Sequence, residues 1–180
     1  NDKGTAEMVA SNYLLSSTTE GQFLEMKTVA DRNSKVKKWA LTGYISQPDE
    51  IGRKLTDLEF SVIATKALEK IGVSDKNQFR LDIHNSTKQK HIHFIVNRID
   101  ISGKCTVKSH DIGRRFGEAV REVCKEKGLL TDVEIGIQKK AEMLKNLKET
   151  LKTAKNFDEL ILKMKAKGFE VLLSTNVKDG

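Results

Sequence analysis

Proline is almost missing from this 180-residue chain; Pro48 is the single one. That excludes proline-rich linkers and repeats built on extended proline helices. The two cysteines, Cys105 and Cys124, are too few for a disulfide framework, so a reducing cytoplasmic setting is expected. No stretch of about 18 apolar residues occurs, and no membrane-spanning helix is expected. The opening NDKGTAEMVASNYLL lacks the basic-then-apolar pattern of a secretory leader and reads as an internal start. Aromatics make up 6%, with two tyrosines and one tryptophan. Histidine is also scarce, at four residues, and this scarcity makes their placement informative.

Basic groups dominate the charge: 32 Lys and Arg against 25 Asp and Glu, a net +7. Such an excess favours a polyanionic partner without identifying one. The length suits one domain with a proper core and a small appended element.

Three of the four histidines, His84, His91 and His93, fall within ten residues. Residues 78–84 alternate, with Phe79, Leu81 and Ile83 apolar and Arg80, Asp82 and His84 polar. Residues 91–99 alternate again, Ile92, Phe94 and Val96 against His91, His93 and Asn97. Period-two patterns of this kind predict two half-buried strands. The polar segment 85–90 is short enough to join them as a hairpin. Pairing His84 with His91 puts all three imidazoles on one side of the sheet, the i and i+2 positions about 6–7 Å apart. Three convergent imidazoles make a divalent-metal site with open coordination positions, whereas structural zinc usually closes its shell with four protein ligands. The same register sets Asp82 opposite His93, as a candidate to accept a ligating imidazole's second N–H and fix its orientation.

Elsewhere, 4–15 reads as a short helix, 23–29 as a possible strand, and 36–46 as a strand stopped by Pro48. Residues 56–71 form the clearest helix: Thr56 and Glu59 make a capping box, Phe60, Ile63, Ala64, Ala67, Leu68 and Ile71 one apolar face, and Gly72 the stop. DISG at 100–103 marks a turn, and 109–127 a second amphipathic helix. A long lysine-rich helix follows from Ile137, then a helix around 156–168 and a strand at 169–173. The expected fold is α/β of the α+β type: a central antiparallel sheet of about five strands, the histidine hairpin in its middle, flanked by helices in two or three layers. The expected division is a nuclease-like domain at 1–133 and a helical extension with a helix–strand element at 134–180, read as the start of a longer region.

H-x6-H-x-H followed by a hydrophobic run and Asn97-Arg98-Ile99-Asp100 resembles the HUH nuclease signature of plasmid and transposon relaxases. The segment is most similar to the mobilization relaxases of Bacteroides-type elements. The helix ending in Ile71-Gly72, the turn Ser102-Gly103-Lys104, the pair Arg114-Arg115 and the helix ending in EKGL continue the resemblance across residues 4–130. Relatives commonly carry an acid two residues past the first histidine, where this chain has Ser86. The resemblance implies site- and strand-specific nicking and rejoining of transfer-origin DNA for conjugative mobilization. The implied substrate is single-stranded or locally melted DNA, and the implied cofactor Mg²⁺ or Mn²⁺ on His84, His91 and His93. Accessory mobilization proteins and a coupling protein are the implied partners. It also implies a tyrosine nucleophile that forms a 5′-phosphotyrosine. Tyr13 matches the family position, on a helix expected to cross the histidine face. Tyr44, among Trp39, Leu41 and Ile45, is expected to be packed in the core.

DNA contacts are expected from basic groups near the motif: Lys88, Lys90, Arg98, Lys104 and Lys108, with Arg114 and Arg115 in a helix's first turn, where an anion would offset the unfavourable macrodipole. His110, near that helix start, is expected to be an ordinary surface residue. Rival readings are a rolling-circle replication initiator or single-strand transposase of the same HUH class, a hydrolase using water in place of tyrosine, and a catalytically silent DNA-binding module.

Overall fold

The computed structural model describes residues 6–52, 54–85 and 89–172. Residues 86–88, and with them Ser86 and Lys88, lie outside the described residues. The chain divides into two compact units, 1–131 and 132–180.

The first unit is built on a four-stranded antiparallel sheet in the order β1-β3-β4-β2. β1 is Ala6–Asn12, β2 Ala40–Ser46, β3 Asn77–His84 and β4 His91–Asp100. The histidine hairpin supplies the two central strands, and the sheet has four strands where about five were expected. Helix α1 spans Thr19–Ala30, α2 is a single turn at Asp49–Gly52, α3 spans Asp57–Lys70 and α4 Ile112–Glu126. The second unit holds α5, Asp132–Leu151, and α6, Phe157–Ala166, which pack together with Leu160 and Met164 buried.

Alternation decides which face of the sheet is dry. Leu81, Ile83, Ile92, Phe94, Val96 and Ile45 meet the apolar faces of α3 and α4, and Phe60, Ile63, Ala64, Ala67 and Val123 are fully or almost fully buried there. Full burial of the Leu, Ile, Val and Phe side chains among them contributes about 1.5–3 kcal/mol each. Helix α3 begins as its sequence dictates. The Thr56 hydroxyl accepts from the Glu59 N–H at 3.2 Å, and the Glu59 carboxylate accepts from the Thr56 N–H at 2.8 Å. It ends at Gly72, whose φ of +106° suits glycine; a Cβ there would meet the Thr106 carbonyl oxygen at 2.8 Å. Gly43 is required for a different reason: the Phe94 ring lies over it, and a Cβ would come within 2.6 Å of Cζ.

Three expectations are corrected. Residues 4–15 were expected to be helical, and Ala6–Asn12 is instead an edge strand. Its Ala, Glu and Met favour helix, but pairing with β3 overrides that preference. Residues 23–29, read as a possible strand, lie in α1. Thr18 caps that helix, its hydroxyl accepting from Gly21 N–H, and only Gln22, Met26 and Ala30 are buried, one per turn. Residues 169–172 form no strand.

Candidate metal and DNA-processing site

The predicted register is the observed one: His84 faces His91, and Asp82 faces His93. All three imidazoles therefore leave the sheet on the side away from α3 and α4. The His84 and His91 rings stack 4.8 Å apart, and His93 stands edge-on to both, at 5.1 and 4.9 Å. One ring nitrogen from each lies within 4.8 Å of the others, and among the described residues this is the one such cluster that could hold a metal ion.

Two details fit a cation. His84 Nδ1 is buried without a hydrogen-bond partner, a costly state for a polar nitrogen that a ligated ion would relieve. His91 Nδ1 lies 2.9 Å from the Gln89 carbonyl. As a donor to that carbonyl it leaves Nε2 as the lone-pair nitrogen for coordination, the usual arrangement for ligating histidines. The donor set contains no sulfur, and three neutral imidazoles leave coordination positions for water or substrate.

Asp82 is drawn elsewhere. Arg80 holds its carboxylate by three bonds, Nε to both oxygens at 2.9 and 2.8 Å and Nη2 to Oδ1 at 2.6 Å, while Nη1 donates to Gln22 Oε1 at 2.7 Å. The pairing also raises the Arg80 pKa above its ordinary value, the hydrogen bond with Asp82 outweighing desolvation. Asp82 therefore lines the site beside His84 and His93 with its carboxylate held by Arg80.

The tyrosines exchange places. Tyr44 was expected in the core, yet it is 65% exposed, directly across from His93, with ring centroids 5.8 Å apart. The signal was available in the sequence, since Tyr44 is out of phase with the buried Ile45. Tyr13 is not on a helix crossing the histidine face. It follows β1 at φ 51°, seven residues beyond Ala6, the residue that faces His84. At about 3.3 Å per strand residue its backbone lies on the order of 20 Å along β1 from the triad. Its carbonyl accepts from Gln78 Nε2, and its side chain is half exposed.

The expected DNA-contacting bases scatter. Lys90 reaches the Leu55 carbonyl at 2.7 Å and Asp57 at 2.6 Å, and it holds the Asp57 carboxyl below its usual range. Arg98 is buried, donating to the Val107 carbonyl at 2.9 Å, to the Lys38 carbonyl and to Cys105 Sγ at 3.8 Å. Both are structural clamps. Lys104 and Lys108 are exposed, but they follow the Asp100 end of β4, away from the histidines. Arg115 donates to the carbonyls of Lys108 and Ile71, and Arg114 pairs with Glu118 and Asp111. Both belong to α4, which packs on the opposite face of the sheet. His110 is almost wholly exposed.

The family model described as relaxase, MobA/VirD2-like, nuclease domain, matches residues 1–129. The chain belongs to the relaxase family. No curated protein and no solved structure matches it. This relaxase domain thus carries a histidine cluster able to hold a metal on an open sheet face. Among the described residues no helix is long and apolar enough to cross a membrane.

Proposed function

We propose that the domain nicks and rejoins one DNA strand at a transfer origin, on single-stranded or locally melted DNA, through a covalent phosphotyrosine. The reaction would serve conjugative mobilization of a plasmid or transposon, together with accessory mobilization proteins and a coupling protein. The observation that carries this reading is the triad itself: three imidazoles converge on one point, one with a buried orphan nitrogen, on the uncovered part of the sheet in a relaxase domain.

His84, His91 and His93 would hold Mg²⁺ or Mn²⁺. Bound there, the ion supplies Lewis-acid stabilisation of charge on a non-bridging phosphate oxygen. The Gln89 carbonyl fixes the His91 ring, and the open sheet face admits a strand whose bases are unstacked. In the transfer step a phenol oxygen bonds to phosphorus as the bond from phosphorus to the 3′ oxygen breaks. The phenol proton leaves, and the 3′ oxygen takes one up. One ester replaces another, so attack by the freed 3′-hydroxyl reseals the strand without ATP.

Two phenols compete for the role. The family resemblance selects Tyr13; proximity to the triad favours Tyr44. The test is incubation with single-stranded transfer-origin DNA and Mn²⁺, followed by mass mapping of the peptide–oligonucleotide adduct in the wild type, Tyr13→Phe and Tyr44→Phe. Loss of the adduct in one variant alone identifies the nucleophile. Cleavage without an adduct in any of the three proteins replaces the covalent route with attack by water. No cleavage by the wild type, with Mn²⁺ bound at the triad, sinks the nicking proposal.

A further inference from the structure

Helix α5 carries two apolar sides. On one, Thr150 is buried and Leu147 half-buried. On the other, Val133, Ile137, Leu144 and Leu151 are each 49 to 62% exposed. At 3.6 residues per turn that second row lies about a third of the way round the helix from Thr150. The rest of the surface, from Lys139 through Glu142, Lys145 and Glu149 to Lys152, is charged, as on a helix whose far side meets water. Ile137, Leu144 and Leu151 recur every seven residues, and Val133, Lys140 and Leu147 repeat at the same interval, four behind each. These are the first and fourth positions of a heptad, the seam along which two helices wind together.

We propose that this row is a self-association surface, and that its occupant is α5 of a second copy of this chain, lying antiparallel. The inference concerns the second unit and is independent of the nicking chemistry.

Charge selects both the occupant and its direction. In a parallel pair equivalent positions meet, so Lys140 would face Lys140 of the second copy inside the seam. The flanking positions Gly136, Ala141, Met143 and Lys148 would then form no opposite-charge pair. An antiparallel pair removes both faults. Val133 meets Leu151, Ile137 meets Leu147, and Lys140 meets Leu144, over which its stem can lie while the ammonium reaches water. Glu134 of each copy then stands beside Lys148 of the other. The contact occurs twice, because a twofold interface repeats every pair with the roles exchanged. Ala141 meets Ala141 at the centre, where a small side chain lets the helices approach. The surface is therefore complementary to itself in shape and charge.

A single helix pair sits at the small end of specific interfaces. The 20 residues of α5 span about 30 Å, so a weak, reversible dimer is expected. Each copy brings its own histidine cluster, and the dimer holds two.

The test is sedimentation equilibrium of the 180-residue chain from about 5 to 500 µM, which brackets a Kd of tens of micromolar. The wild type should pass from 20.2 kDa to twice that mass. Leu144→Glu, at an exposed position, should remain monomeric throughout. Lys148→Glu brings two carboxylates together at both ends and should weaken the dimer about tenfold. Adding Glu134→Lys in the same chain reverses both pairs and should return Kd to within about threefold of wild type. Circular dichroism checks that each variant keeps its helices. A wild type that stays monomeric at the highest concentration overturns the proposal, as does a dimer that survives Leu144→Glu. A double reversal no tighter than Lys148→Glu alone overturns the antiparallel pairing and the occupant with it. Nicking activity enters none of these outcomes, so the dimer and the catalytic reading stand or fall separately.

Discussion

At the Asn77–Asp100 end of the central strand pair, Asn77, Asn97, Arg98 and Asp100 are buried, and their polar atoms reach partners. Asn77 Nδ2 donates to the Asn97 carbonyl, Asn97 Nδ2 to the Met26 carbonyl and Gln78 Oε1, and Arg98 to two carbonyls and a thiol; Asp100 Oδ1 accepts from the Ser102 and Lys104 N–H groups. At the His84–His91 end of the same strands the imidazoles crowd together, and His84 Nδ1 has no partner at all. One ten-residue strand, HIHFIVNRID, therefore carries two kinds of polar residue. Those at the finished end hold the sheet to α1 and the following turn. Those at the other end, joined by His84, are the imidazoles that could hold a metal ion.

If this division is right, damage to the two ends separates. The largest effect belongs to Arg98→Met, which strips its partners of buried donors. Unsatisfied buried acceptors cost about 1–3 kcal/mol each, so a loss of about 3 kcal/mol is expected in urea unfolding. Mn²⁺ affinity of the folded fraction should change less than about twofold. A weakened metal site with normal stability would break the comparison.

His91→Ala is the mirror experiment. Loss of one ligand in three should reduce Mn²⁺ affinity by at least the 100-fold that outer contacts alone can cost, about 2.8 kcal/mol at 1.4 kcal/mol per tenfold. Stability without metal should move by less than about 0.5 kcal/mol. Isothermal titration and unfolding on the same sample check both halves. Unchanged Mn²⁺ affinity removes the triad from the metal site.

The division also explains what the sequence disclosed. The hairpin register was legible because two runs of strict alternation flank a short polar turn, and one register alone keeps both apolar faces in the core. Helix α3 announced itself through Thr56, Glu59 and Gly72. Helix α1 did not, because its buried stripe is one residue per turn and begins with Gln22. β1 was misread because it is an exposed edge strand of helix-favouring residues. Arg98 and Lys90 were assigned to DNA because charge is visible in a sequence, whereas the backbone carbonyls that claim those charges are not. Tyr44 was misplaced by composition, although its parity with Ile45 put it on the histidine face.

Acid should also weaken the Asn77–Asp100 end. Burial pushes the Asp100 carboxyl up, but hydrogen bonds from Ser102 and Lys104 outweigh it, and its pKa is lowered overall. A lowered folded-state pKa means stability present above the unfolded value, about 3.9, and lost as pH falls through the folded one. Asp100→Asn should therefore be less stable than wild type at pH 7, by about 1.5–3 kcal/mol if the bonds to its charge are lost. The gap should narrow on titration below about pH 4. A gap independent of pH would show that the carboxylate's charge contributes nothing there.

The smallest effect is expected from Arg114→Gln, and it tests where DNA does not bind. Arg114 is exposed, yet two carboxylates, Glu118 at 2.7 Å and Asp111 at 3.5 Å, already answer its charge. It also stands on the helix layer behind the sheet. Exposed pairs of this kind are worth about 0–1 kcal/mol, so stability should barely move. A residue that neutralises one phosphate contributes about 0.7 to the slope of log affinity against log salt for single strands. Arg114→Gln should leave that slope unchanged, whereas a drop approaching 0.7 would place DNA across both faces of the sheet and dissolve the distinction between them.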